Sequence, residues 1–441
     1  MTEGNGGELR DWRRSRGWDV PELARQLRRA ASEPIAAHDG LVRMIRGWER
    51  GDHRLSERYE LLYRKLGQPG SDNDEPNAHS AHTGGQEGSG PVRRRTFVEL
   101  TGISMASAIL PASAGTHSPV DIEPLALALT AQMTGASPEP SQELPEITAL
   151  AGNVSRARKQ YQACRYTELI NHLPRLLGQL DAACRFLDGN NKLSAYALSA
   201  DAYHVAAGFL LKLGDHGLAH LATDRSMTAA LASQDPLTVG ASARIITHTL
   251  MSSGHLPAAI ATARNYAVQL DREIGTQTPA SLSVYGSVLL RGAIAAALND
   301  ERSTAHELLA EAAEAARRVG TDANLRGTAF GLVNTQLHQV NVAVTLGDAG
   351  TAIDLARRIK LAAITVTERK ASLLIDVARA FFQWGRYEQA LAVLRAAEQT
   401  APQEVAARAS VRTLVRDLAA VAPGSIRRDA EQFASRIGES R

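Results

Sequence analysis

Aromatic side chains are scarce in this 441-residue chain: Phe, Trp and Tyr together make up 5% of it. Sandwiches and barrels draw on aromatic and β-branched residues, so this scarcity, beside abundant alanine and leucine, argues for helix. Cysteine is nearly absent too. Cys164 and Cys184 lie 20 residues apart with no further cysteines, which fits neither a disulfide scaffold nor a zinc motif and points to a reducing compartment. No apolar run approaches the length of a bilayer span. Met1 to Gly7 is polar and glycine-rich, unlike a secretory leader. The expectation is a cytoplasmic protein with no membrane partner. Also missing are a glycine-rich phosphate loop, a His-Glu-x-x-His pair and a nucleophile elbow, and the 13 histidines are scattered singly. The sequence therefore offers no catalytic residues, metal ligands or cofactor site, and the expected protein is not an enzyme.

What is present is enough apolar surface for a large core, 44% of the residues, spread over a length that suggests two or more domains. Net charge is only +2, so any nucleic-acid surface must be local. Such a region lies at the start. Residues 8–67 hold fourteen Lys/Arg against ten Asp/Glu, a local net of +4. A first helix is expected from Leu9 to Arg16, stopped by Gly17. Asp19-Val20-Pro21-Glu22 reads as a capping box opening a second helix with Leu23, Ala24 and Leu27 buried. After a loop from Ser32 to His38, a third helix begins near Asp39. Leu41, Met44, Ile45 and Trp48 share one face of it, and Arg43, Arg46, Gly47 and Arg50 the other. A fourth, from Ser56 to Leu66, points Tyr59, Leu62, Tyr63 and Leu66 inward.

Glu22-Leu23-Ala24 in the second helix, Ile45-x-x-Trp48-Glu49-x-Gly51 closing the third and Leu55-Ser56 opening the next resemble the Cro/repressor (XRE-type) helix-turn-helix family. The resemblance implies that the third helix enters the DNA major groove. On that reading Arg43 and Arg46 contact bases, while Arg50 and Arg54 hold phosphate. The chain departs from the family in carrying Asp19-Val20 where Ser-Gln is usual, and in the length of the 32–38 loop. Residues 68–92 follow as a polar linker rich in Gly, Ser, Asn, Asp and His. Arg93-Arg94-Arg95-Thr96-Phe97-Val98 and the weakly apolar stretch behind it look like a twin-arginine export signal. Placed internally, over residues 93–120, they read better as a basic hinge and a helix of small residues.

From about residue 121 to 441 the pattern is helical throughout. Ala378, Phe381, Gly385, Tyr387, Ala390, Ala397 and Pro402 resemble one whole tetratricopeptide repeat, with Leu374 in place of its first aromatic. Equivalent turns fall at Cys164-Arg165, Gly214-Asp215, Gly254-His255, Asn299-Asp300 and Gly347-Asp348, at intervals of 38 to 49 residues. The later markers are followed by Ala219, Ala259, Ala305 and Ala352. Six helix pairs stacked in a superhelix are expected, so the fold class is all-α: a helix-turn-helix domain, a linker and a tetratricopeptide-like solenoid. Asn334, His338 and Asn341 form one stripe beside Val333, Leu337, Val340 and Val344, and two helix-disfavouring asparagines on one stripe suggest a ligand-gripping concave wall. The combination resembles helix-turn-helix/tetratricopeptide regulators of actinomycetes. It implies a transcriptional regulator that binds double-stranded DNA as a homodimer and responds to a peptide or small-molecule effector. The alternative is an interaction scaffold that uses the repeats without specific DNA binding.

Overall fold

The computed structural model describes residues 6–30, 38–50, 55, 57–67, 121–131, 145–273 and 277–438; the side chains of 6, 38–40, 43, 47, 50, 57, 58 and 61 fall outside that description. Every regular element among the described residues is helical. The linker and the twin-arginine-like stretch, residues 68–120, lie outside the described residues. Two compact units divide the chain at residue 93.

The first unit packs four helices, α1 (Gly6–Ser15), α2 (Val20–Ala30), α3 (His38–Arg50) and α4 (Glu57–Lys65), around Leu9, Leu23, Leu27, Leu41, Ile45 and Trp48. Gly17 ends α1 in the left-handed region at φ 68°. Asp19 caps α2, its Oδ1 accepting from the Glu22 amide at 2.6 Å. The reciprocal half of the expected capping box is not formed: the Glu22 carboxylate accepts from Arg25 and Gln26 on its own helix. Met44 and Leu66 are half-buried, not core. Behind α3, Arg13 donates twice to the carboxylate of Glu49, at 2.6 and 2.8 Å, and Arg10 donates to the Glu49 carbonyl. This fork fixes the end of the third helix against the first.

The second unit begins with α5 (Glu123–Thr130). Six helix pairs follow. They are α6/α7 (Ile147–Gln162, Tyr166–Phe186), α8/α9 (Gly189–Leu213, His216–Ser233), α10/α11 (Pro236–Ser252, Leu256–Glu273), α12/α13 (Pro279–Leu298, Arg302–Val319), α14/α15 (Leu332–Thr345, Ala349–Arg357) and α16/α17 (Thr367–Gln383, Tyr387–Thr400). All six hairpins turn at the positions marked by the sequence, and all six turn the same way. Cys164, Gly214, Gly254, Asp300, Gly347 and Gly385 have φ between 57° and 83°. The next amide donates to the carbonyl five residues back, from Arg165 to Gln160 through Arg386 to Phe381, at 2.8–3.1 Å. This Schellman closure satisfies carbonyls that a helix end leaves bare. Between pairs, Asp235 and Thr278 cap the helices that Pro236 and Pro279 begin. Pro402 likewise starts α18 (Pro402–Ala407), and α19 (Ala409–Val421) and α20 (Gly424–Gly438) end the unit.

Two expectations are corrected here. Helix α12 is by composition long and apolar enough to cross a membrane, contrary to the sequence reading, yet 83% of its apolar window is buried inside the protein. It is the central core helix of its region. And the array is no one-dimensional stack in which each pair touches only its neighbours. Residues of the first two pairs meet the last pair and the helices beyond it: Lys212 bonds Glu368, Tyr166 bonds Glu404, and Gly214 packs on Ala409.

Between α13 and α14 the chain leaves the helical pattern for residues 320–331, with left-handed backbone at Gly320, Arg326, Gly327 and Ala329. The segment is pinned at both flanks. Gln162 bonds Asn324 and the Gly327 carbonyl, and Arg326 reaches Asp235 and Thr238. Its Phe330 is fully buried against Gly286 of α12, with ring atoms 1.9 Å from where a Cβ on that glycine would sit. Gly286→Ala should therefore lower stability by ~1–3 kcal/mol, the cost of overpacking, with urea unfolding as the measurement. An unchanged midpoint would mean that the ring moves aside freely.

Candidate functional site: a cationic cavity inside the helical array

The first helix of every pair, α6, α8, α10, α12, α14 and α16, faces a common cavity of about 440 Å³. The second helices stand outside it, apart from His216 at the start of α9. The 326–328 stretch and residues 408–410 complete the wall. This volume falls in the range of small-molecule sites.

Charge is unevenly placed on that wall. Lys212, near the end of α8, is held between Glu368 at 2.8 Å and Glu404 at 2.7 Å, and its Nζ lies 5.3 Å from the centre of the Tyr161 ring. Arg408 bonds the same two carboxylates, and the Tyr166 hydroxyl donates to Glu404. Burial alone would raise the pKa of Glu368, but Lys212, Arg369 and Arg408 outweigh it and hold the carboxyl well below its usual range. Burial likewise opposes the ionisation of Glu404, and Arg408 and Lys212 prevail. Lys212 moves upward although burial and Arg408 oppose it, because the two glutamates and Tyr161 favour its charged form. Lys212, Arg408, Glu368 and Glu404 are thus all ionised, and with Tyr161 and Tyr166 the cluster joins the first and second pairs to the last pair and the helix beyond it.

Four histidines line the cavity, and three of them, His204, His248 and His338, are kept neutral. Burial, then Arg244, Arg158 and Arg291, holds His204 well below its ordinary value; burial and the same kind of cationic neighbours do so for His248. Arg244 Nη2 donates to His204 Nε2 at 2.6 Å, a bond that requires the imidazole unprotonated there.

The three residues expected to grip a ligand, Asn334, His338 and Asn341, all line this cavity. Asn334 and His338 are buried and Asn341 is half-buried. His338 Nδ1 bonds the Asn334 carbonyl at 2.9 Å, and since a carbonyl only accepts, Nδ1 carries the proton. Asn341 Nδ2 donates to both oxygens of Asp376 at 3.0 and 2.9 Å. Its Nδ2 is therefore taken, and only Oδ1 is left for a ligand. Burial raises the pKa of Asp376 although Arg379 and Asn341 oppose it.

Of the residues expected to meet DNA, Arg46 is described and exposed on α3, on the side away from buried Leu41, Ile45 and Trp48. The side chains of Arg43 and Arg50, and the whole of Arg54, lie outside the described residues. The sequence reading missed Lys212, Arg244, Arg291, Glu368, Glu404 and Arg408. One signal could have found Arg291: it is the lone charge in an apolar helix of 20 residues. Cys164 and Cys184 are free, buried and shifted upward by that burial, so neither is poised as a thiolate. Among the described residues no group of His, Cys, Asp and Glu is disposed to hold a metal ion. Comparison with protein-family models, with curated proteins and with solved structures finds no match.

Removing the central cation of the cluster leaves two buried carboxylates short of a partner. Lys212→Met should cost ~3–5 kcal/mol in urea unfolding; a loss below about 1 kcal/mol would mean that Arg408 suffices alone. The histidines give a pH dependence. His338 is held down to about 3, by burial first and then by Arg369 and Arg291, whereas in the unfolded chain it titrates near ~6.5. As pH falls below ~6.5 the unfolded state takes up a proton that the native state refuses, so stability drops by up to ~1.4 kcal/mol per pH unit for each such histidine. The melting temperature should therefore fall between about pH 7 and pH 5.5, less steeply in His338→Gln. Equal slopes in the two proteins would remove His338 from this account.

Proposed function

We propose that the chain is a sequence-specific DNA-binding transcriptional regulator. In this reading residues 1–67 form a helix-turn-helix domain, and residues 121–441 a tetratricopeptide-like sensor and dimerisation domain whose cavity receives an effector. The observation that carries the reading is α3. It buries Leu41, Ile45 and Trp48 and turns Arg46 to solvent, while Glu49, on the buried side, is locked to Arg13 from α1. A helix anchored on one side with a free guanidinium on the other suits the major groove, where arginine pairs with guanine in bidentate fashion. By the same reading Arg43 contacts bases and Arg50 and Arg54 contact phosphate.

A single small domain with few groove contacts binds weakly, so two chains reading two half-sites about one helical turn apart are expected. The cavity supports the sensing half of the reading. It is lined by helices from all six pairs and held by contacts between the second pair, the last pair and the helix beyond it. A ligand that binds one shape of this array better than another shifts the balance between shapes, and only such a difference can couple the cavity to DNA.

The test is selection of bound duplexes from a random pool, followed by competition binding. Arg46→Ala should lose ~1–3 kcal/mol at the selected site and relax one base preference. Stoichiometry from the same titrations should be two chains per site. Unchanged sequence selection by the variant would remove α3 from the groove, and one chain per site at full affinity would remove the dimer.

A further inference from the structure

Most cations on the cavity wall are paired with a carboxylate in place. Arg158 lies 2.6 Å from Asp201, Arg326 lies 3.0 Å from Asp235, and Lys212, Arg369 and Arg408 share Glu368. Arg244 and Arg291 are the exceptions. They stand on α10 and α12, the first helices of successive pairs, and neither forms an ion pair with a described residue. The Nε of each is buried with no acceptor. Burial, then Arg369 and Arg158, lowers Arg244 to about 10, and burial, then Arg244 and Arg369, lowers Arg291 to about 9, the shifts expected of cations without a bonded counter-charge. Beside them, on α14, the cavity presents acceptors. The Oδ1 atoms of Asn334 and Asn341 are buried with no donor, and that of Asn341 is fixed as an acceptor because its Nδ2 is occupied by Asp376. His338 Nε2 is an acceptor too, its proton being on Nδ1.

We propose that the cavity binds a small hydroxylated phosphate ester, its phosphate held by Arg244 and Arg291 and its hydroxyl groups donating to Asn334, His338 and Asn341. A single carboxylate is saturated by one bidentate guanidinium and would leave the second arginine uncompensated. A tetrahedral dianion accepts from both. The three bare acceptors on α14 call for several donors, more than the single P–OH of an inorganic phosphate dianion supplies. A cavity of about 440 Å³ accommodates a phosphorylated sugar or polyol within its walls.

This inference rests on the cavity being the effector site, and its test contains no DNA. Calorimetric titration of the full chain at low salt would use ribose 5-phosphate, inorganic phosphate, ribose and citrate as probes. Ribose 5-phosphate should bind at least about tenfold more tightly than each of the others, and Arg291→Met or Arg244→Met should weaken it by about tenfold or more. The melting temperature of ligand-free Arg291→Met should equal or exceed that of the wild type, since an uncompensated buried charge has been removed. A lower one would overturn the assignment of Arg291 as unpaired. Absence of binding at about 10 mM, tighter binding of citrate, parity with inorganic phosphate, or equal affinity in wild type and variants would each overturn the proposal. Binding that leaves affinity for duplex unchanged would uphold it and overturn the effector role. Failure to bind would leave DNA recognition by residues 1–67 standing.

Discussion

The helical array holds its shape because Lys212 is clamped between Glu368 and Glu404, with Arg408 closing the square. These residues come from the second pair, the sixth pair and the helix beyond it, so the cluster joins parts of the chain separated by 156 and 192 residues. A buried ion pair is weak evidence of net stability, since desolvation consumes most of what Coulomb attraction returns. Its geometric demand is another matter. Any displacement of the last pair from the first strands charged groups inside the protein, so one curvature of the array is favoured over its neighbours. That curvature draws the first helices of all six pairs around one common cavity.

The same space gathers positive charge at a place where charge is costly, and the surrounding packing sustains it. Arg291 projects from α12, the most thoroughly buried helix of the array. Gly286 there admits the Phe330 ring, and Gly292 lets Ala263 approach to 2.7 Å of where its Cβ would be. Burial first, and the arginines after it, keep the neighbouring histidines neutral, and His204 then serves as an acceptor for Arg244. The wall is therefore internally consistent except at a few atoms, and those atoms divide into unpaired donors on α10 and α12 and unpaired acceptors on α14.

All-helical character and the six hairpin turns were legible in the sequence because both rest on local rules. A residue in left-handed backbone marks each turn, followed at the later five by an alanine five or six residues on, and the weakest marker, Cys164, lacks the alanine but shares the backbone at φ 57°. The buried stripe of the second helix, Leu23, Ala24 and Leu27, was legible for the same reason. The site was only partly so. Asn334 and His338 stood out by being polar where the helix should be apolar, and they do face the cavity. What they face was hidden. No periodicity relates Lys212 to Glu404, and the closure that brings them together is set by curvature summed over several pairs. The Arg13–Glu49 fork was missed likewise, since two charges 36 residues apart carry no local pattern.

The six identical hairpin closures and the single charge cluster impose different orders of cooperativity. A row of repeats without a clasp unravels from its tips, each pair opening at its own modest cost while the middle stays intact. Here the last pair cannot open without freeing Glu368, and Glu368 is tied to Lys212 in the second. Loosening at one terminus is thereby felt at the other. The array gives up the gradual, piecemeal opening of a solenoid for the all-or-none behaviour of a globule, and the interior void exists only as long as the whole ring does.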